Sequence, residues 1–247
     1  MPEDQSTAPA LYDAIGHAYG GARRTEPRIA RQIWEALGDA RRVLNVGAGS
    51  GSYEPPDRDV TAVEPSAVMR AQRPPDAAPC VAASAEALPF PDQSFDAAMA
   101  VLSDHHWNDP IRGLREMSRV ARRVVVFQWD EVEIPRFWLV RDYLPEFAAL
   151  AARYTSLDAR AKAIGASIQP VPIPWDCVDG FFHAYWRRPH AYLHETVRTG
   201  TSVWARVGAD VEQRAIDSLR VDLASGDAPM GCQGRGWSFR GCGRRGG

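Results

Sequence analysis

The chain has 247 residues, a net charge of −2, 45% hydrophobic and 24% charged residues. A chain this long buries a core without disulfide or metal staples, and this composition excludes a disordered polymer. The charge gives no bulk attraction to nucleic acid or anionic membrane, and no apolar run approaches the ~20 residues that span a bilayer.

In chain order, residues 1–10 are polar and acidic and do not read as a secretory signal. Residues 8–19 carry apolar positions at helical spacing. A second helix is predicted over residues 27–37, with Pro27 at its first turn and Gly38 as its stop. The apolar strand 42–46 runs into Gly47-Ala48-Gly49-Ser50-Gly51, and a second strand, 60–63, ends in Glu64-Pro65. A short helix is predicted over 65–72, a brief strand over 80–83 and a strongly apolar strand over 95–102. Residues 110–120 show a helical stripe of Ile111, Leu114, Met117 and Val120, and residues 123–129 form a strand buried on both faces. The second half reads as helical over 137–150, 156–164 and, with breaks, 195–225, with a proline-broken edge strand at 168–173.

Strands alternating with helices predict an α/β fold, a doubly wound, mostly parallel sheet that binds ligands at the carboxyl ends of its strands. The expected organisation is one domain over residues 1–229, followed by a flexible tail over 230–247. The tail is rich in glycine and arginine and holds no acid, and without its four arginines the body carries −6. The four cysteines, Cys80, Cys177, Cys232 and Cys242, show no CxxC spacing, so reduced thiols in a cytoplasm are expected.

The glycine loop carries the first chemistry. Glycine lets the backbone approach a ligand closely and adopt positive φ. A dinucleotide fingerprint needs a glycine where this chain has Ser52, and Tyr53-Glu54-Pro55-Pro56-Asp57 is a poor helix. A short or absent helix after the first strand opposes a pyrophosphate ligand. Glu64, on the neighbouring strand end, can accept hydrogen bonds from two vicinal ribose hydroxyls; the plainer alternative is a solvated acid. Asn45 can bond the ligand's polar end or simply bond locally.

The ordered set VLNVGAGSGSY, VTAVEPSAVM, ASAEALPFPDQSFDAAMAVLSDHHWND and GLREMSRVARRVVVF resembles the successive motifs of class I S-adenosylmethionine-dependent methyltransferases. It is most similar to the small-molecule group that includes the ubiquinone- and menaquinone-biosynthesis enzymes. The resemblance covers about residues 43–127. It implies a Rossmann-like sheet, usually of seven strands with the last antiparallel, and S-adenosylmethionine as cofactor. It implies that Gly47, Gly49 and Gly51 pass under the methionine part and that Glu64 holds the ribose. Ala85 and Glu86 would meet the adenine between Met69 and Leu88, while Leu102, Ser103 and His106 would border cofactor and substrate. Tyr19 would pack on the sulfonium side and Arg23 would pair with the methionine carboxylate; the plainer alternative for both, and for Tyr12, is helix packing or a solvated face.

Two departures stand out. Asn45 replaces the acid that often opens the glycine motif, and residues 230–247 do not read as the expected last strand. A sheet lacking that strand would leave an impaired enzyme.

A methyl acceptor with an acidic proton needs a base. His106, then His105 and Asp104, sit past the fourth strand, where a base would reach substrate; the plainer reading is a histidine that caps its loop. A metal site is not expected, since adjacent histidines point apart and no third ligand follows. The aromatic stretch 175–192 reads as core or as the wall of a substrate pocket, His183 and Cys177 as packed residues, and Arg187-Arg188 as an anion site or a solvated pair. The expected function is methyl transfer to a small molecule at O, N or C, by a monomer or homodimer with no nucleic-acid or membrane partner. The alternatives are a catalytically silent binding module on the same fold, a nucleic-acid methyltransferase and, last, an NAD dehydrogenase. Ser103-Asp104-His105-His106 stands where an amino-methylating nucleic-acid enzyme has Asn/Asp-Pro-Pro-aromatic, and Pro79-Cys80 enters a strand instead of the nucleophile loop of a cytosine enzyme.

Overall fold

The structure, a computed structural model, describes residues 23–226 and 238–243. The expected helix at 8–19, with Tyr12 and Tyr19, lies outside the described residues.

Among those residues the chain forms one seven-stranded sheet, in the order β3-β2-β1-β4-β5-β7-β6. The strands are β1 Arg42–Val46, β2 Asp59–Val63, β3 Cys80–Val81, β4 Phe95–Val101, β5 Ala121–Gln128, β6 Ser167–Pro172 and β7 Ser238–Gly243. The first five pair in parallel, and β7 runs antiparallel to both β5 and β6. Strand order reverses between β1 and β4, so a crevice opens at their carboxyl ends. No helix separates β1 from β2, as the weak helix-forming sequence predicts.

The expectation of a missing last strand and an unstructured tail is corrected at Ser238–Gly243, which pairs with Val125–Gln128 on one side and with β6 on the other. Backbone pairing needs no apolar side chains, so the composition hid this strand. β6 stays at the sheet edge, where its prolines are tolerated.

Helices cover both faces. On α1 Pro27–Ala36, Glu26 caps the start and Ile29, Ala30 and Ile33 are buried. The cap of α3 Pro110–Val120 is Asp109, which accepts from the Arg112 N–H at 2.9 Å, and this helix buries Leu114, Met117 and Val120. Between them in sequence lies the short α2 Ala67–Ala71, capped by Ser66. The single helix expected over 137–150 is two, α4 Trp138–Tyr143 and α5 Pro145–Ala151. Leu144 precedes a proline and leaves the helical region, with φ −130° and ψ 50°. Then follow α6 Leu157–Ala163, α7 Glu195–Thr199, α8 Ser202–Val207 and α9 Ala209–Ser225. Among the described residues no helix is long and apolar enough to cross a membrane.

Candidate functional site

The loop after β1 is threaded between its neighbours by backbone. Gly47 and Ala48 N–H both donate to the Val63 carbonyl, at 2.9 and 3.0 Å. Gly47 has φ +68°, and a Cβ there would lie 2.7 Å from Ser103 Cβ. Only glycine meets both conditions. Gly49 N–H donates to Glu64 Oε2 and Ser66 N–H to Glu64 Oε1, each at 2.9 Å. Burial pushes the Glu64 carboxyl above its usual range, opposed by those two N–H groups and by Arg70 and Arg73.

Beneath the loop runs a polar chain. Asn45 Nδ2 donates to Glu54 Oε1 at 3.0 Å, and Arg73 Nη2 donates to both Glu54 oxygens at 2.9 and 3.0 Å. Arg73 also donates to the Ala78 carbonyl at 3.0 Å, which ties the loop to the segment before β3. Asn45 is thus tied to the Glu54–Arg73 ion pair.

Past β4 the chain makes a strained corner. Leu102 has φ +51°, and its N–H donates to the Phe127 carbonyl at 2.8 Å. The corner turns Ser103 toward β1, where its hydroxyl donates to the Val46 carbonyl at 3.0 Å. A 3-10 turn, Asp104–His106, follows and is buried. Asp104 pairs with Arg160 Nη1 at 2.8 Å and accepts from Gln128 Nε2. His105 Nδ1 lies 2.8 Å from Gln128 Nε2, and His106 Nδ1 lies 3.2 Å from Arg206 Nη2. Burial holds both imidazoles well below their ordinary pKa. Arg206 and Arg23 add to this at His106; His106, Arg206, Arg160 and Arg23 add to it at His105.

Asp179 anchors the remaining wall. It is fully buried and takes Arg23 Nε at 2.6 Å and Nη2 at 3.0 Å, with the Tyr53 hydroxyl donating at 2.8 Å.

These elements enclose a cleft of about 730 Å³, open to solvent, whose walls include Asn45, Gly47, Gly49, Glu64, Met69 and Ser103. A second, smaller pocket beside it is lined by His105, Trp129, Phe181, Phe182, Thr201 and Ser202 among others. Arg23, Leu102 and His106 belong to both, so they mark the junction.

A methyltransferase domain model matches residues 44–127, the segment that builds the cleft. An uncharacterized methyltransferase of Mycobacterium tuberculosis is 35% identical over 119 residues, which are 44% of this chain and 48% of that protein. The chain thus spans about half the length of that relative. The demethylmenaquinone methyltransferase of Renibacterium salmoninarum is 32% identical over 162 residues, 59% of this chain and 67% of that protein. The chain belongs to the class I S-adenosylmethionine-dependent methyltransferases. A crystal structure from Anabaena variabilis, described as a methyltransferase of an antibiotic biosynthesis pathway, superimposes on this family member with a TM-score of 0.82. Its identity is 28%, over 91% of this chain and 99% of that one.

Of the positions that the sequence put forward in this methyltransferase, the cleft gathers Asn45, Gly47, Gly49, Glu64, Met69, Leu102, Ser103, His106 and Arg23. Gly51 lies in the same loop, at φ +99°. Three others lie away from the lining. Ala85 and Leu88 are buried in the apolar cluster with Leu114 and Met117, and Glu86 accepts from the Asp109 N–H at 3.2 Å. Arg23 lines the cleft with two of its nitrogens held by Asp179. His105 lines the second cavity. His183 takes the plainer role, packed 4.6 Å from the Phe137 ring. Sequence reasoning missed the Glu54–Arg73 pair, Asp179, Gln128, Arg160 and Arg206. Each acts through a partner distant in sequence, which no local spacing reveals. Phe181 and Phe182 were signalled by the aromatic run in which they lie.

Proposed function

We propose that this chain transfers a methyl group from S-adenosylmethionine to a small molecule at oxygen, nitrogen or carbon. The junction of the two cavities at Arg23, Leu102 and His106 carries this reading, because it provides two ligand volumes with one shared boundary. The cleft residues fit the cofactor. Gly47 and Gly49 line the cleft at positive φ and carry no side chain. Each Glu64 oxygen accepts one backbone N–H and keeps a lone pair for a ribose hydroxyl. Met69 offers an apolar wall to the adenine. When bound, the cofactor supplies a methyl group activated by its sulfonium.

The chain's own contribution is position and desolvation. Glu64 fixes the ribose end, the glycine loop bears the methionine end, and Ser103 with Leu102 closes the floor. The acceptor lies among Trp129, Phe181 and Phe182, facing the junction. The test is thermal melting with S-adenosylhomocysteine. Binding to the native state raises the midpoint progressively with ligand concentration, and Gly49→Val abolishes the rise. A folded protein whose midpoint ignores the ligand contradicts the reading.

A further inference from the structure

Three segments of chain meet on the Glu54–Arg73 pair beneath the glycine loop. Arg73, just past α2, donates from Nη2 to both Glu54 oxygens and to the Ala78 carbonyl. Its Nη1 donates to the Gly49 carbonyl at 3.4 Å. Both side chains are largely buried, with 5% of Arg73 and 12% of Glu54 exposed. Gly51 brings the loop onto the pair. At its φ of +99°, a Cβ would lie 3.3 Å from Arg73 Nη1 and 3.4 Å from Glu54 Oε2. No helix lies between β1 and β2, so side chains order this loop where a helix would otherwise do so.

Glu54 also sets the direction of the Asn45 amide. A carboxylate only accepts, so the amide nitrogen is the end that faces Glu54 Oε1, at 3.0 Å. The two ends of an amide point apart, so Oδ1 is turned away from the pair. Asn45 is buried on β1 and lines the cleft with Gly47 and Gly49. The end of the amide that the cleft receives is therefore an acceptor. An acid at position 45 would set two carboxylates against each other at this contact, and one of them would keep a proton. The neutral amide at 45 and the acid at 54 thus suit one another, which accounts for the departure at Asn45 from the acid that often opens the motif.

We propose that Glu54 and Arg73 are positioning residues for the cofactor. They hold the Asn45 amide with Oδ1 toward the cleft, where it accepts from the α-ammonium group at the methionine end. This rests on the methyltransferase reading above. An ammonium carries only donors, so an amide turned the other way would oppose it donor to donor. The charge of Glu54 is answered by Arg73. Selection at this end of the cleft therefore comes from the direction of a hydrogen bond, which Glu54 sets without touching the ligand.

The test uses the full chain and two ligands. One is S-adenosylhomocysteine; the other is methylthioadenosine, which keeps the adenosine and the thioether but lacks the amino-acid end. Asn45 and Asn108 are the two asparagines of the chain, and Asn108 is exposed, so Asn108→Ser assigns the side-chain signals in an asparagine-labelled sample. S-adenosylhomocysteine should shift the Asn45 side-chain carbonyl carbon, and methylthioadenosine should leave it in place. A carbonyl signal that ignores S-adenosylhomocysteine in a protein that binds it overturns the proposal, and this spectrum decides even where a variant fails to fold. Glu54→Gln replaces one acceptor oxygen by a donor and frees the Asn45 amide to turn. It should weaken S-adenosylhomocysteine by roughly ten-fold, the effect of one lost hydrogen bond to a charged group, and leave methylthioadenosine affinity unchanged. Equal losses for the two ligands, or no loss for either, would reduce Glu54 to a structural residue and overturn the proposal. A folded wild-type chain that binds neither ligand contradicts the methyltransferase reading itself, whereas binding with an unmoved Asn45 signal sinks this inference alone.

Discussion

The N–H of Gly49 donates to Oε2 of Glu64 at 2.9 Å, joining the loop after β1 to the end of β2. One acid thus orders the glycine loop and lines the cleft. Glu64→Gln keeps the shape but sets an amide N–H₂ against one of two backbone N–H donors. The substitution is expected to weaken S-adenosylhomocysteine by about 2 kcal/mol, or roughly 30-fold, as loss of a charged hydrogen bond does. The wild-type affinity should also fall as pH drops from neutrality, beginning above the ordinary carboxylate range, because burial raises the Glu64 pKa and only the ionised form accepts both hydroxyls. Titrations across pH check this. A flat wild-type profile with unchanged Glu64→Gln affinity would count against the assignment.

Gly47 and Gly165 separate backbone strain from crowding. Both have positive φ, +68° and +63°, but a Cβ at Gly165 meets nothing within 4 Å, whereas one at Gly47 meets Ser103. Gly165→Ala should cost about 1 kcal/mol from the left-handed backbone alone. Gly47→Ala should cost about 3 kcal/mol, because overpacking is added. Urea denaturation measures both, and equal costs would deny the close approach of the β1 and β4 loops.

Asp179 is fully buried and neutralises Arg23 across the chain. Asp179→Asn leaves that guanidinium buried without its countercharge and breaks the Tyr53 contact. A loss of about 3 kcal/mol in unfolding free energy is expected. A loss below about 1 kcal/mol would place the pair in the weak class of exposed ion pairs.

His183 sets part of the acid limit. Burial lowers its pKa from 6.5 to about 3. The unfolded chain therefore binds the proton first, so the full stability contribution is present above pH 6.5 and is lost as pH falls toward about 3. His183→Phe should flatten the stability profile in that window, read from denaturation midpoints at successive pH values. His105 and His106 would retain the rest of the slope. An unchanged slope would exclude His183 as a contributor.

The central strands were legible because Val43-Leu44, Ala97–Val101 and Val124–Phe127 are apolar stretches of the kind that doubly covered parallel strands show. The loop residues were legible for a related reason: a backbone at positive φ favours glycine at Gly47 and Gly49 whatever the ligand. β7 was not legible, since its pairing is purely backbone and its composition is that of a tail. Nor were Arg206 and Gln128. Arg206 reaches His106 across 100 positions of chain, and nothing local distinguishes it from the other arginines. The histidines were found, but the contacts that hold them come from those distant partners.

The crevice between β1 and β4 is expected to bind the cofactor through the glycine loop and Glu64. Calorimetric titration of the full chain with S-adenosylhomocysteine tests it most directly, with Gly49→Val beside it. The account predicts saturable binding to one site per chain, lost in Gly49→Val. A folded wild-type protein that gives no binding heat at any temperature tested, or a variant that binds as tightly as the wild type, would contradict it.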